Sequence, residues 1–76
     1  MKSPIEIYIV NKIKERRISA KLSQRELAEL LGVSIGFVGQ VESDNYTTKY
    51  NFNHLNNLAK IFNCSVKDFF PEEPIN

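Results

Sequence analysis

The chain has a single cysteine, Cys64, and a single histidine, His54, which are the residue types that supply a reactive thiol, a base of neutral pKa and most zinc ligands. A reactive thiol needs a base or a second cysteine beside it, and nothing in the spacing brings His54 to Cys64. A zinc site needs three or four such ligands. No nucleophile–base pair or phosphate-binding loop is recognisable either. We therefore interpret Cys64 as a small core residue and expect no enzymatic activity, metal, cofactor or small-molecule ligand.

The charged residues are distributed unevenly along the chain. Residues 1–25 contain seven basic and two acidic side chains, a net charge of +5, whereas residues 26–76 contain three basic and seven acidic ones, a net charge of −4. This asymmetry is compatible with one surface that faces phosphates and an acidic surface on the far side. The alternative is two ordinary solvated faces. The total of only +1 argues weakly against a non-specific nucleic-acid binder.

Length and composition indicate one small globular domain over residues 1–76, with a core at about 5–70 and a tail at 71–76. The longest apolar run, residues 7–10, is far too short to cross a bilayer. Polar and basic residues follow it directly, which is not the pattern of a secretory signal. We therefore expect a cytoplasmic protein without a membrane partner.

The elements that must position any functional side chain are predicted to be helices. Ser3, Pro4 and Glu6 form a helix start, with a serine cap, proline at the first helical position and glutamate three residues after the cap. A row at helical spacing follows: Ile5, Ile9, Ile13, Arg17 and Ala20. Residues 5–9 also alternate as a β-strand would. Nothing nearby supplies a hairpin partner, so a helix is favoured.

Residues 23–42 predict two short helices joined by a tight turn. Ser23 and Glu26 form a second capping box, Gly32 can end that helix with a positive φ, and Ser34 can cap the next helix. The small Ala28 lets the two helices approach closely. The inward-facing apolar residues are Leu27, Leu31, Val33, Phe37, Val38 and Val41. Such a helix-turn-helix unit places its second helix in the major groove of DNA.

The remainder of the chain predicts a polar loop over residues 43–50 and two further helices. Asn51 caps the fourth helix, and Asn63 can end it in a left-handed conformation. Its residues at core spacing are Phe52, Leu55, Leu58, Ala59 and Phe62. Ser65 begins a last short helix that ends before Pro71. The predicted fold class is therefore all-α, a compact five-helix domain with a central helix-turn-helix.

Three motifs together carry a family resemblance: LSQRELAELLGVS, the VE that ends the third helix, and LAKIFNCSVKDFF. From about Ile13 to Phe70 the chain resembles the lambda-repressor-like (xenobiotic-response-element type) helix-turn-helix DNA-binding proteins. The resemblance implies a domain whose third helix enters the major groove. It also implies that Arg17 and Glu42 form a partly buried ion pair that braces the fold. The alternative for these two residues is a pair of independent surface charges.

The resemblance further assigns residues to DNA contacts. The base-contact positions match Ser34, Ile35, Gly36 and Gln40. Phosphate contacts are expected from Gln24, Arg25 and the loop residues Tyr46, Thr47, Thr48 and Lys49. The loop runs longer than is usual in the family and lacks its usual Gly and Pro.

The base-contact helix departs from common family members. Gln40 alone can make a bidentate contact with adenine, and Ile35 could touch a thymine methyl. Gly36 and the neighbouring Gly39 have no side chain, and each costs a helix about 1 kcal/mol relative to alanine. Three explanations are open: close approach of the backbone to the groove, recognition through DNA shape, or loss of DNA binding.

The function implied by the resemblance is a sequence-specific DNA-binding transcriptional regulator, acting as a homodimer on an inverted repeat. The candidates for the dimer interface are Phe69, Phe70 and Ile75, although both phenylalanines could instead complete the core and we expect this of one. The alternative function is a protein-interaction module or an antitoxin that has the fold but reads little or no DNA.

Overall fold

The computed structural model describes all 76 residues and contains four α-helices, with no β-strand. These are α1 (Pro4–Ser19), α2 (Gln24–Leu31), α3 (Ile35–Glu42) and α4 (Phe52–Phe62), followed by a 3₁₀ turn at Val66–Phe69. The all-α prediction is confirmed, but the fifth helix is wrong. Only five residues separate the Ser65 cap from Pro71, and four of them form the tighter 3₁₀ turn, which suits so short a segment. None of the helices combines the length and the apolar character needed to cross a membrane.

The helix boundaries follow from the caps predicted in the sequence. Ser3 and Ser23 each accept a hydrogen bond from a backbone N–H in the first turn, and Glu6 and Glu26 return a bond to the cap residue. Residues 5–9 are therefore helical, and the strand alternative is excluded. At the other ends, Gly32 has φ 77° and Asn63 has φ 53°, the left-handed conformation that stops a helix.

The core lies among the four helices and the 3₁₀ turn: α2 packs on α3 and α4, and α1 packs on α3 and on the 3₁₀ turn. Ala28 is fully buried on α2, so a larger side chain there would have to displace its neighbours. The buried apolar residues are Val10, Ile13, Leu27, Ala28, Val38, Val41, Tyr50, Leu55, Leu58, Ala59 and Phe69. Burying each large apolar side chain contributes about 1.5–3 kcal/mol, so these residues fix how the helices are placed.

Several residues predicted to be in the core, or at a dimer surface, lie elsewhere. Phe52 is 87% exposed at the first position of α4, because the buried side of this turn is occupied by Leu55 and the solvent side is left to Phe52. Ile5 and Ala20 are exposed at the two ends of α1. Phe69 is fully buried and completes the core, so it is wrong as a dimer-interface candidate. Phe70 remains at the surface.

Tyr50, the last residue of the predicted polar loop, is buried and belongs to the core. Its ring lies 5.9 Å from that of Phe37 and 6.0 Å from that of His54, which joins α3 to the start of α4. His54 Nδ1 accepts the N–H of Asn51 at 3.0 Å, which completes the cap of α4. The Tyr50 hydroxyl is buried without a hydrogen-bond partner, and burial raises the pKa of Tyr50 well above its ordinary value. The phenol therefore stays neutral.

Candidate nucleic-acid interface

Helix α3 has one buried face and one face open to solvent. Val38 and Val41 are fully buried on the inner side. The outer side carries the four residues that the sequence assigns to base contacts, all of them exposed: Ser34, Ile35, Gly36 and Gln40. The Ser34 hydroxyl oxygen also accepts the N–H of Phe37 at 3.3 Å, so it caps the helix. The structure therefore brings the assigned positions together on one accessible helical face.

A buried ion pair fixes the end of α3 against α1. Arg17 Nε donates to Glu42 Oε2 at 2.8 Å and Arg17 Nη2 donates to Oε1 at 2.9 Å, while Nη1 donates to the carbonyl of Leu22 at 2.8 Å. The Arg17 and Glu42 side chains are only 11% and 3% exposed. The hydrogen bonds to Glu42 raise the pKa of Arg17, so the guanidinium stays charged. The structure thus has the paired arrangement rather than two independent surface charges.

Gln24, at the first position of α2, is attached to the same carboxylate. Its Nε2 donates to Glu42 Oε1 at 3.0 Å. A Cβ atom added at Gly39 would lie 3.3 Å from Gln24 Oε1, closer than an ordinary contact. Gly39 therefore leaves room for the Gln24 side chain. Gly36 has no atom within 4 Å of an added Cβ, so packing within the chain does not require glycine there.

The loop after α3 is attached to the N-terminal segment by a residue that sequence reasoning missed. Lys2 is only 8% exposed, and its Nζ donates to the carbonyls of Ser43 and Tyr46, both at 2.8 Å. Lys2 lies more than 40 positions from these partners, so no local pattern could have identified it. Farther along the loop, Thr48 Oγ1 donates to Gln40 Oε1 at 3.1 Å. Its hydroxyl hydrogen is engaged there rather than free for a phosphate oxygen.

Many of the basic residues that were expected to face phosphates contact other residues of the chain instead. Lys49 forms an ion pair with Glu6, and its hydrogen bond is the largest of the causes that lower the pKa of Glu6 to about 2. Arg16 lies 3.9 Å from Asp68, and Lys12 lies over the Tyr8 ring. With Lys2 and Arg17 also engaged, the basic residues of the N-terminal third that have no partner within the fold are Lys14, Lys21 and Arg25.

The only basic residue within the helix-turn-helix, residues 23–42, is Arg25, which is exposed in the first turn of α2. Tyr46 and Thr47 are exposed in the loop. Gln24 and Lys49, the other exposed members of the predicted phosphate contacts, are bonded to Glu42 and Glu6.

Among known proteins, residues 13–69 match a family model described as helix-turn-helix. Two uncharacterized HTH-type transcriptional regulators, from Sinorhizobium medicae (strain WSM419) and Rhizobium meliloti (strain 1021), are each 31% identical to the chain over 72 residues. The match covers 95% of the chain and 50% of each relative. The chain therefore spans about half the length of these relatives.

Two solved structures share the fold over most of the chain. The restriction-modification controller protein C.AhdI from Aeromonas hydrophila has a TM-score of 0.71 and 25% identity, with 84% of this chain and 94% of that chain covered. SinR, described as the master regulator for biofilm formation and solved in complex with DNA, has a TM-score of 0.69 and 26% identity. That similarity covers 80% of this chain and 95% of the SinR chain.

Proposed function

The chain belongs to the helix-turn-helix family, and we propose that it is a sequence-specific DNA-binding transcriptional regulator. The observation that carries the proposal is the division of α3 into a buried inner face and an accessible outer face. The solved complex of the similar protein SinR with DNA, and the names of the two rhizobial relatives, support it. A regulator of this kind acts on the chromosome, so we place it in the cytoplasm.

In this proposal α3 lies in the major groove. An α-helix with its side chains is about 10–12 Å in diameter, and the groove is about 12 Å wide, so the helix fits, with its eight residues extending about 12 Å along its axis. The Gln40 amide can pair with the N7 and N6 atoms of adenine, and Ile35 can contact a thymine methyl. The N-terminus of α2, with Gln24 and Arg25, faces a phosphate, where its free backbone N–H groups and positive dipole end favour an anion.

One such helix reads only a few base pairs, so the proposed unit is a homodimer on an inverted repeat. Its two α3 helices would be about 34 Å apart, one turn of DNA. Because Phe69 is buried, the remaining C-terminal candidates for the dimer surface are Phe70 and Ile75, both exposed apolar residues. A pair of half-sites of fixed spacing is the expected signature of this assembly.

The experiment that tests this function is a binding selection against random duplex DNA, repeated with Gln40→Ala. We expect enrichment of a palindrome and loss of base preference at one position per half-site in the variant, worth about 1–3 kcal/mol of discrimination. Asn57→Ala, which removes an exposed amide on α4, is the matched control and should leave the selected sequence unchanged. If no sequence is enriched by the wild-type chain at low salt, the proposal is wrong.

The open space beside Gly36 favours a second candidate function, a protein-interaction module or antitoxin, because a helix that reads bases would gain from a side chain there. The dependence of affinity on salt separates the two. For a DNA-binding protein, log K falls with log salt with a slope of about −0.9 for each phosphate neutralised. An interaction module would bind a protein partner and show no affinity for duplex DNA that depends on salt in this way.

A further inference from the structure

We propose that the loop after α3 determines how Gln40 selects a base, with Thr48 fixing the Gln40 side chain and Lys2 fixing the loop. This inference rests on the proposed function, because it concerns the same DNA-reading face. It assigns Thr48 and Lys2 as positioning residues, and neither needs to contact DNA. Thr48 was expected from the sequence to contact phosphate, and its observed partner is Gln40 instead.

The first step of the argument is the contact between Thr48 and Gln40. Glutamine is a long side chain whose terminal torsion is broad, so fixing it on binding costs side-chain entropy. The 3.1 Å bond from Thr48 Oγ1 to Gln40 Oε1 restricts that freedom before DNA is bound. A carbonyl oxygen has two lone pairs, so Oε1 can still accept from adenine N6 while Nε2 donates to N7.

A fixed amide discriminates better than a free one. A free Gln40 side chain can follow a neighbouring base pair or turn toward a phosphate, and each alternative adds affinity for a wrong sequence. The bond to Thr48 holds the amide over one place on the helix surface. When a wrong base is present, the side chain therefore cannot move to make a replacement contact. Removing the bond should therefore reduce discrimination more than it reduces total affinity.

The second step is that the loop itself is held on both sides of Thr48. Lys2 binds the carbonyl of Ser43, directly after α3, and that of Tyr46, two residues before Thr48. Lys49, directly after Thr48, forms an ion pair with Glu6 in the first turn of α1. Both attachments are made by the N-terminal segment, which lies outside the helix-turn-helix.

The burial of Lys2 supports a positioning role rather than a phosphate contact. An ammonium group taken out of water is costly unless its hydrogen bonds are replaced, and Lys2 replaces two of them with loop carbonyls. It forms no ion pair with a carboxylate. A side chain that is 8% exposed and bonded to two carbonyls is not placed to neutralise a phosphate.

The experiment compares the base preferences of Thr48→Val with those of the wild-type chain in the same binding selection. Valine keeps the branched shape and removes the hydroxyl. We expect preference at the Gln40 position to fall about 3- to 10-fold, the range for one hydrogen bond, with the salt dependence unchanged. Thr48→Ser, which keeps the hydroxyl, should retain the preference. The control Ser19→Ala removes an exposed hydroxyl at the end of α1, away from the reading face, and should have no effect.

Two further variants decide whether the effect passes through Gln40 and the loop. In a Gln40→Ala background, Thr48→Val should cause no additional loss of preference, since its partner is already absent. Lys2→Met should lower preference at the same position while the slope of log K against log salt stays as in the wild type. Lys60→Met, which removes an equal charge from the exposed surface of α4, is the control.

The proposal would be overturned by unchanged preference in Thr48→Val, or by an equal loss from this substitution in the Gln40→Ala background. A slope reduced by about 0.9 in Lys2→Met would show that Lys2 neutralises a phosphate instead. If the wild-type chain enriches no sequence, the proposed function fails and this inference fails with it. If the wild-type chain enriches a palindrome that Thr48→Val enriches equally, the inference alone fails.

Discussion

The inner and outer faces of α3 are organised by different forces. Val38 and Val41 on the inner face are fully buried, and apolar packing alone accounts for their position. On the outer face, Gly36 meets no neighbour, and Gln40 is held only by a hydrogen bond from the loop. Packing, with the buried Arg17–Glu42 pair, therefore decides where the helix lies, whereas a hydrogen bond from the loop holds Gln40 on its reading face.

The largest effect is expected from breaking the buried ion pair between Arg17 and Glu42. Arg17→Met should lower the free energy of unfolding by about 3–5 kcal/mol, because it leaves the Glu42 carboxylate buried without its charged partner. The Glu42 carboxylate would keep only the hydrogen bond from Gln24. Urea denaturation measures the stability change.

The neighbouring arginine supplies the control for that experiment. Arg16 lies 3.9 Å from Asp68 with both side chains about 40% exposed, so Arg16→Met should cost less than about 1 kcal/mol. Pairing Arg17→Met with Glu42→Met should recover much of the lost stability, since no unpaired buried charge remains. Similar losses for Arg16→Met and Arg17→Met would mean that the buried pair does not anchor α3.

Substitutions at the two glycines of α3 also test the difference between its faces, with expected changes in the free energy of unfolding about one-third as large. Gly36→Ala should raise the free energy of unfolding by about 1 kcal/mol, because alanine favours a helix and its methyl group enters open space. Gly39→Ala should gain less, because its Cβ displaces Gln24 and weakens the bond from Gln24 to Glu42, worth about 0.5–1.5 kcal/mol.

The same pair of variants tests the role of each glycine in DNA binding. If the α3 backbone approaches the groove closely, Gly36→Ala becomes more stable but binds DNA more weakly. Gly39→Ala should alter DNA affinity by moving Gln24, and it should change base preference less than Gly36→Ala does. Chemical denaturation and titration of the selected DNA measure both quantities. Equal stabilisation by the two substitutions would contradict the assignment of Gly39 as space for Gln24.

The caps and the inner faces could be predicted from the sequence because their causes are local. Ser3, Ser23 and Gly32 act within one turn of their own position, and the apolar period selects Leu27 and Val41. The same period failed at Phe52, because spacing along a helix does not tell which positions of its first turn the other elements cover, and here they cover Leu55.

The candidate site was predictable only as a set of positions on one helix. The bond from Thr48 to Gln40 crosses between a helix and a loop of irregular conformation, and the bonds of Lys2 join opposite ends of the chain. Such contacts depend on the assembled fold, and neither residue type signals them. The charge of Lys2 suggested a surface facing phosphate, whereas the fold uses it inside.

The smallest expected effect concerns the attachment of the loop at its exposed end. The pKa of Glu6 is lowered to about 2, first by the hydrogen bond from Lys49 and then by the backbone N–H of Ser3. A lowered pKa means that the contact stabilises the fold above the ordinary value near 4.5, and that this contribution is lost as the pH falls toward 2. Glu6→Gln should therefore have a slightly lower Tm than the wild type between pH 5 and 7, and the difference should close on acidification. Glu73→Gln, a tail carboxylate outside any ion pair, is the control. A Tm difference for Glu6→Gln that stays constant down to pH 2 would show that the ion pair with Lys49 does not hold the loop.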